Sequence, residues 1–251
     1  MKRLQDKVAV ITGAGNGIGA EAASLFAGEG AMVVVADIAG DAARGVCERI
    51  RARGDRALAV TVDVTEAESV KTLMDATVEA FGTIDVLYNN AGGSRPGDGT
   101  VVEVEMDVFW RTIKVDLLGT FLGCKFAIPW MRKAGGGAIV NMVSSVALMG
   151  TPGVDCYTAA KGGVAALTRS MAVTYAADGI RVNAIAPTTT LTQRIIEKLK
   201  SNPTAQRLSA KNLLGEPLPV DIAHAALFLA SADARMTTGS IFPVDSGTLI
   251  Y

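Results

Sequence analysis

The sequence predicts an α/β fold: one doubly wound domain in which a parallel seven-stranded sheet carries helices on both faces. Three observations predict it. Seven short apolar runs alternate with amphipathic stretches along 251 residues. The composition is 49% hydrophobic but only 5% aromatic, dominated by Ala, Val, Gly, Ile and Leu, which suits buried parallel strands covered by helices. The residues with most chemistry to offer fall at the ends of the runs: Gly13, Asp37, Asp63, Asn90, Ser144 and Pro187. The carboxyl ends of the strands are where an open α/β sheet binds its ligand.

The strand runs are 7–12, 32–37, 57–63, 84–89, 138–144, 181–186 and 240–244. Helical patterns separate them. Residues 66–81 are the clearest, because Val70, Leu73, Met74, Thr77, Val78 and Phe81 recur at helical spacing. Thr65 stands where an N-cap belongs and Gly82 where a helix stops. Strand–helix alternation implies right-handed crossovers. The length suits one large core and is short for two, so 1–251 reads as a single domain. No repeat, linker or low-complexity segment interrupts it.

Composition also narrows the function. The net charge is −1 and there is no basic block, so a nucleic-acid role lacks its electrostatic basis. No apolar run approaches a membrane span, and the first seven residues lead straight into a strand without a signal segment. Cys47, Cys124 and Cys156 lack metal-like spacing, and their odd count fits a reducing cytoplasm. Cys156 reads as a packed small residue beside Tyr157. His224, the only histidine, reads as structural or surface, and no metal site is expected.

Thr12 to Gly19 follows the first strand and opens a helix. Its residues Gly13, Asn16, Gly17, Ile18 and Gly19 form a turn that lets backbone N–H groups and a helix N-terminus face a pyrophosphate. Asp37 ends the second strand, where a carboxylate accepts from both ribose hydroxyls and repels a 2′-phosphate. The turn has no Arg or Lys to attract that phosphate, so the expected cofactor is NAD(H). Asp63 and Val64 end the third strand, where adenine would lie. At the end of the fourth, Ala91 and Gly92 let the chain pass beneath a cofactor, while Asn90 ties strand ends together. Further on, Tyr157 and Lys161 stand four apart on a helix, side by side on one face. This places a phenol beside an ammonium.

In this order the motifs resemble the short-chain dehydrogenase/reductase family, over nearly the whole chain. The resemblance rests on Thr12-Gly-x-x-x-Gly-x-Gly19, Asn89-Asn-Ala-Gly92, a serine before Tyr157-x-x-x-Lys161, Asn183-Ala-Ile-Ala-Pro187, Phe228-Leu-Ala-Ser231 and Thr238-Gly239. It implies a Rossmann-like fold with Tyr157 as general acid/base. A phenol ordinarily titrates near pH 10. Lys161, with the oxidised cofactor's positive charge, would lower that value and also bind the nicotinamide ribose. Ser144, thirteen residues before Tyr157, would hold the substrate oxygen, in preference to Ser145 on the opposite strand face. Pro187, Thr190 and Thr192 match positions that hold the carboxamide.

Two residues depart from the family pattern. Asp116 replaces an asparagine that joins Lys161 to a proton path; the expectation is that Asp116 keeps the relay and shifts the pH optimum. Thr188 replaces a glycine. The resemblance further implies a substrate lid over 188–219, helical at 191–200, and a homotetramer or dimer built on the helices at 107–132 and 157–177. The expected substrate is a small secondary alcohol or its ketone. Arg95 and Arg194 lie among the candidate substrate walls, with the chemistry to grip a carboxylate or phosphate, although a solvated arginine is the plainer reading of each. Epimerisation or dehydration through transient oxidation, and cofactor binding without catalysis, are the rival classes.

Overall fold

The computed structural model describes residues 2–250. Seven strands form one parallel sheet: β1 (Val8–Thr12), β2 (Met32–Asp37), β3 (Ala57–Thr61), β4 (Val86–Asn89), β5 (Gly137–Met142), β6 (Ile180–Pro187) and β7 (Ile241–Val244). Their order is β3-β2-β1-β4-β5-β6-β7, which reverses direction between β1 and β4. All seven expected strands are present.

Nine α-helices are described: α1 (Gly17–Gly28), α2 (Gly40–Arg51), α3 (Ala67–Phe81), α4 (Met106–Thr112), α5 (Gly119–Lys133), α6 (Asp155–Tyr175), α7 (Gln193–Leu199), α8 (Pro203–Ser209) and α9 (Pro219–Ala230). Strand side chains alternate between two cores, as the two-residue period of a strand demands. Ala9, Ile11, Val33, Val35 and Tyr88 pack with α1, α2 and α9. Val10, Val34, Leu87, Ile139 and Val182 pack with α3, α5 and α6 on the other face. β7, one of the two edge strands, carries Pro243, which an edge tolerates because one side of it needs no ladder bond.

Two local details differ from expectation or add to it. Thr65 is not the N-cap of α3; Glu66 occupies that position without a side-chain cap bond. Thr65 turns back instead, donating its N–H (2.9 Å) and hydroxyl (2.8 Å) to Asp63 Oδ1, because an aspartate two residues upstream competes for that hydroxyl. Gly82 does end α3, in the left-handed conformation. Between α4 and α5 the rod is wound wide for one π-helical turn, Ile113–Leu118. That turn carries Asp116.

Candidate active site

The ends of β1 and β4 are locked together. The Asn90 amide donates to the carbonyls of Thr12 and Gly13, both at 3.0 Å, and the Thr12 hydroxyl accepts from the N–H groups of Asn90 (3.2 Å) and Ala91 (3.1 Å). Gly13 and Gly17 take φ values of +64° and +55°, a region that side chains disfavour. A Cβ on Gly19 would overlap the Gly13 carbonyl and the Asn90 amide. Ile18 and Gly19 lie in the first turn of α1. Its N-cap, Asn16, is extended and makes no side-chain cap bond, and no acidic side chain lies in the first turn. The helix therefore presents bare N–H groups to an anion.

Asp37 is buried at the end of β2. Its carboxylate accepts from Gly15 N–H (2.8 Å) and Ala39 N–H (2.9 Å), which builds it into the glycine turn. Asp63 holds the turn with Thr65, and the Val64 side chain packs where α5 begins at Gly119. These residues fit a dinucleotide: a cradle that side chains would fill, an uncapped helix start, and a carboxylate placed beside it.

The chemical residues converge beneath α6. Lys161 Nζ lies 5.6 Å from the Tyr157 ring centroid. It donates to the Met142 carbonyl (2.8 Å) and pairs with Asp116 Oδ1 at 3.0 Å. Both partners of that pair are sealed from solvent, at 1% and 0% exposure. Asp116 Oδ1 also accepts from Gly93 N–H (2.8 Å), whereas its Oδ2 is buried without a hydrogen-bond partner. Gly92 must be small here, since a Cβ would overlap the Asp116 carboxylate. Ser144 follows β5 in extended backbone, caps the short turn Ser145–Ala147 by accepting from Val146 N–H (3.5 Å), and acts on the Tyr157 phenol to favour its charged form.

Opposing influences meet at Tyr157. Burial pushes its pKa above the usual phenol value. Lys161 and the Ser144 hydroxyl pull the other way, but Asp116 adds to the rise and the net shift is upward. Burial is the largest cause of the rise and the Asp116 carboxylate a smaller one, while Lys161 acts in the lowering direction expected of it. At Lys161, burial favours the neutral amine, yet the charges of Asp116 and Tyr157 outweigh it and hold the ammonium's pKa up.

Pro187 ends β6, and the threonines beyond it are engaged within their own loop. Thr188 donates its hydroxyl to Asn212 Oδ1 (3.0 Å), and Thr190 donates its own to the Thr188 carbonyl (3.1 Å). Thr192 caps α7 by accepting from Ile195 N–H (3.4 Å), and its methyl faces Gly17 of the glycine turn. Cys47, Cys124 and Cys156 are free and buried, and His224 is exposed. Among the described residues there is no cluster of groups able to hold a metal, and no helix is long and apolar enough to cross a membrane.

Sequence reasoning missed three features. Asp98 accepts from the N–H groups of Cys156 (3.1 Å) and Tyr157 (3.0 Å), capping the start of α6 from a distant loop. A buried chain runs from the Asn89 amide to Asn141 Oδ1 (2.9 Å), and from the Asn141 amide to the Thr168 hydroxyl (2.9 Å), which fastens β4 and β5 to α6. Arg194 and Lys198 reach back to Ser94, the first to its carbonyl (3.3 Å) and the second to its hydroxyl (3.0 Å). No local pattern announces such long-range partners; only the lone aspartate in a glycine-rich loop was a signal for Asp98.

A family model described as enoyl-(acyl carrier protein) reductase matches residues 13–248. The cis-4-hydroxycyclohexanecarboxylate dehydrogenase of Sinomonas cyclohexanicum is 44% identical over 243 residues, covering 96% of both chains. The meso-2,3-butanediol dehydrogenase of Serratia marcescens is 39% identical, over 98% of this chain and 95% of its own. The solved structure of a 7α-hydroxysteroid dehydrogenase complexed with NADH and 7-oxo glycochenodeoxycholic acid superposes with a TM-score of 0.91. It is 36% identical, over 98% of this chain and 95% of that one.

Proposed function

The chain belongs to the short-chain dehydrogenase/reductase family, and from that premise we propose that it is an NAD(H)-dependent oxidoreductase interconverting a secondary alcohol and a ketone. One observation carries the reading: a half-buried phenol, Tyr157, with the Lys161 ammonium 5.6 Å from its ring and Ser144 acting on it, at the same carboxyl ends of the strands as the glycine turn and Asp37. The relatives named as dehydrogenases of hydroxycyclohexanecarboxylate and butanediol support an alcohol substrate. The relative with NADH bound supports the cofactor.

In this reading Gly13, Asn16, Gly17, Ile18 and Gly19 hold the pyrophosphate and Asp37 the adenosine ribose. Asp63 and Val64 meet the adenine. Asn90, Ala91 and Gly92 line the nicotinamide half, where Lys161 and Tyr157 take the second ribose and Pro187, Thr190 and Thr192 the carboxamide. NAD supplies the hydride acceptor. The chain's own residues handle the proton. Ser144 orients the substrate hydroxyl and donates to the ketone oxygen on return. Tyr157 takes the hydroxyl proton in oxidation and gives it back in reduction. Lys161 stays charged beside the phenolate because Asp116 sustains it. Asp116 holds the ammonium through Oδ1, which also accepts from Gly93 N–H, and its Oδ2, which has no partner, is the atom that would accept from a water of the proton path.

The segment 188–219 is the lid over the substrate, and the whole chain is one catalytic domain. A homotetramer is the assembly we favour. An apolar groove lined by Leu117, Leu118, Phe121, Gly163, Ala166 and Leu167 lies open between the α4–α5 rod and α6, which supports packing against a second copy. A light-scattering mass equal to one chain rejects it. The cytoplasm is the proposed setting, in keeping with three unpaired thiols.

Calorimetric titration with NADH and with NADPH tests the cofactor assignment. Tighter NADH binding supports the Asp37 reading and directs a screen of secondary alcohols with NAD. Preference for NADPH overturns it, because a buried carboxylate at that position repels a 2′-phosphate.

A further inference from the structure

Arg194 and Lys198 stand four apart on α7 and so share a face. That face is turned toward the loop after β4. The Arg194 guanidinium lies so close over Gly93 that a Cβ there would overlap it, and Gly93 adopts φ +124°, which glycine alone takes freely. The next contact inward is the Gly93 N–H bond to Asp116, then Lys161. The charge of Arg194 is felt at the Tyr157 phenol and at Lys161. The pair therefore sits against the chemical centre and away from the adenosine end of the glycine turn.

Among the described residues, neither Arg194, Lys198 nor Arg95 makes an ion pair, and the one carboxylate felt at Lys198, Asp98, does not offset burial and Arg194. Arg194 and Lys198 have only Ser94 oxygens as partners, and Arg95 Nε is buried with no hydrogen-bond partner. Lys198 is half-buried, and its pKa is lowered by burial and by Arg194. The nearby carboxylates are already committed: Asp98 to the α6 N–H groups, Asp116 to Lys161 and Gly93. A half-buried lysine held beside the exposed Arg194 guanidinium is unfavourable unless an anion joins them.

We propose that Arg194 and Lys198, with Arg95 in the same loop, form an anion-binding subsite beside Tyr157, so that the alcohol this protein oxidises carries a carboxylate or phosphate group. The inference deepens the dehydrogenase reading and rests on it for the identity of the substrate, though the subsite itself does not. The arginine fork and the lysine head clamp the anion from the lid side. The hydroxyl then lies toward Ser144 and Tyr157, which orients the substrate before the proton moves.

The test uses probes that cannot react. Benzoate, phenyl phosphate and neutral benzamide are titrated by calorimetry into the protein alone and into the protein saturated with NADH. Expected is binding of at least one anion roughly 10- to 100-fold tighter than benzamide, the worth of a charge-assisted hydrogen bond or two. Benzoate ahead of phenyl phosphate assigns a carboxylate, and the reverse assigns a phosphate. In Arg194→Gln, Lys198→Gln and the double variant, checked by circular dichroism, the anion-to-benzamide ratio falls toward one. Equal binding of anion and amide, or a preference surviving in the double variant, overturns the proposal. So does a loss that only parallels weaker NADH binding, since the cations would then serve the cofactor. If the anion preference holds but no secondary alcohol is oxidised with NAD, the subsite stands and the dehydrogenase reading fails.

Discussion

Replacing Asp116 by asparagine removes one charge from a sealed pair and changes little else in shape. The Lys161–Asp116 separation is 3.0 Å, so at an effective dielectric of about 20 the two charges attract by about 5 kcal/mol. Desolvation of both groups offsets much of that, but a single deletion leaves the lysine buried and uncompensated, which costs about 3–5 kcal/mol. Asparagine still accepts from Gly93 N–H, so the lower end applies, about 3 kcal/mol. For a chain of this length, Tm moves about 2–4 °C per kcal/mol, which gives a fall of about 6–12 °C. The pH dependence follows from Lys161, whose pKa is raised above its ordinary 10.5. A raised lysine contributes stability that is fully present below the unfolded value and is lost as pH rises through the folded one. In Asp116→Asn burial lowers the Lys161 pKa without that opposing charge, so the deficit is largest where the lysine is charged and narrows as pH rises through the variant's own lowered lysine value. Scanning calorimetry over a pH series measures it. Lys161→Met added to Asp116→Asn removes the orphaned charge and restores most of the lost Tm. A single variant within about 1 °C of the parent from about pH 6 to 9, or a double variant no more stable than the single, refutes the reasoning.

Three other outcomes are expected. Tyr157→Phe lowers alcohol turnover about a hundred- to ten-thousand-fold while NADH still binds by calorimetry, since only the proton acceptor is lost; unchanged turnover removes Tyr157 from the mechanism. In Asp116→Asn the acidic limb of the oxidation pH–rate profile moves to lower pH, because Asp116 raises the Tyr157 pKa; a superimposable profile rejects the relay. Asp98→Ala uncaps α6 and lowers stability by about 1–2 kcal/mol, read in urea unfolding. It also lowers kcat, and Asp98→Asn recovers part of both; a variant with parental stability would show that the cap is idle.

Much of this architecture is legible locally. The strands could be read because buried parallel strands are written as short apolar runs, and Gly13, Gly17 and Gly19 because their conformations or close contacts exclude other residues. What escaped was decided by partners distant in sequence. Thr65 looked like a cap until Asp63 claimed its hydroxyl. Asp98 had no local reason to matter; its partners are 58 and 59 residues away. Arg194 is exposed, as its plainer reading had it, but nothing near it in sequence reveals that it covers Gly93. The strength of burial at Tyr157 was not legible for a related reason: burial is a property of the folded site, and here it opposes the lysine that spacing had made obvious.

The π-helical turn at Ile113–Leu118 has a consequence for how this protein tolerates change in length. Such a turn holds one residue more than the α-turn it replaces. Each residue of a helix advances the side-chain direction by about 100°, so the two halves of the rod are out of phase with a continuous α-helix. Asp116 faces Lys161, Gly119 faces Val64, Gly123 faces Asn89, and Leu117 and Phe121 face the open groove, all at once. Removing any one residue from the segment would restore regular winding and rotate one half against the other. Either the carboxylate leaves the lysine or the glycines leave the strand ends. The phase of the catalytic face against the outward face is thus stored as a count of residues, and a one-residue deletion there would break what single substitutions leave in place.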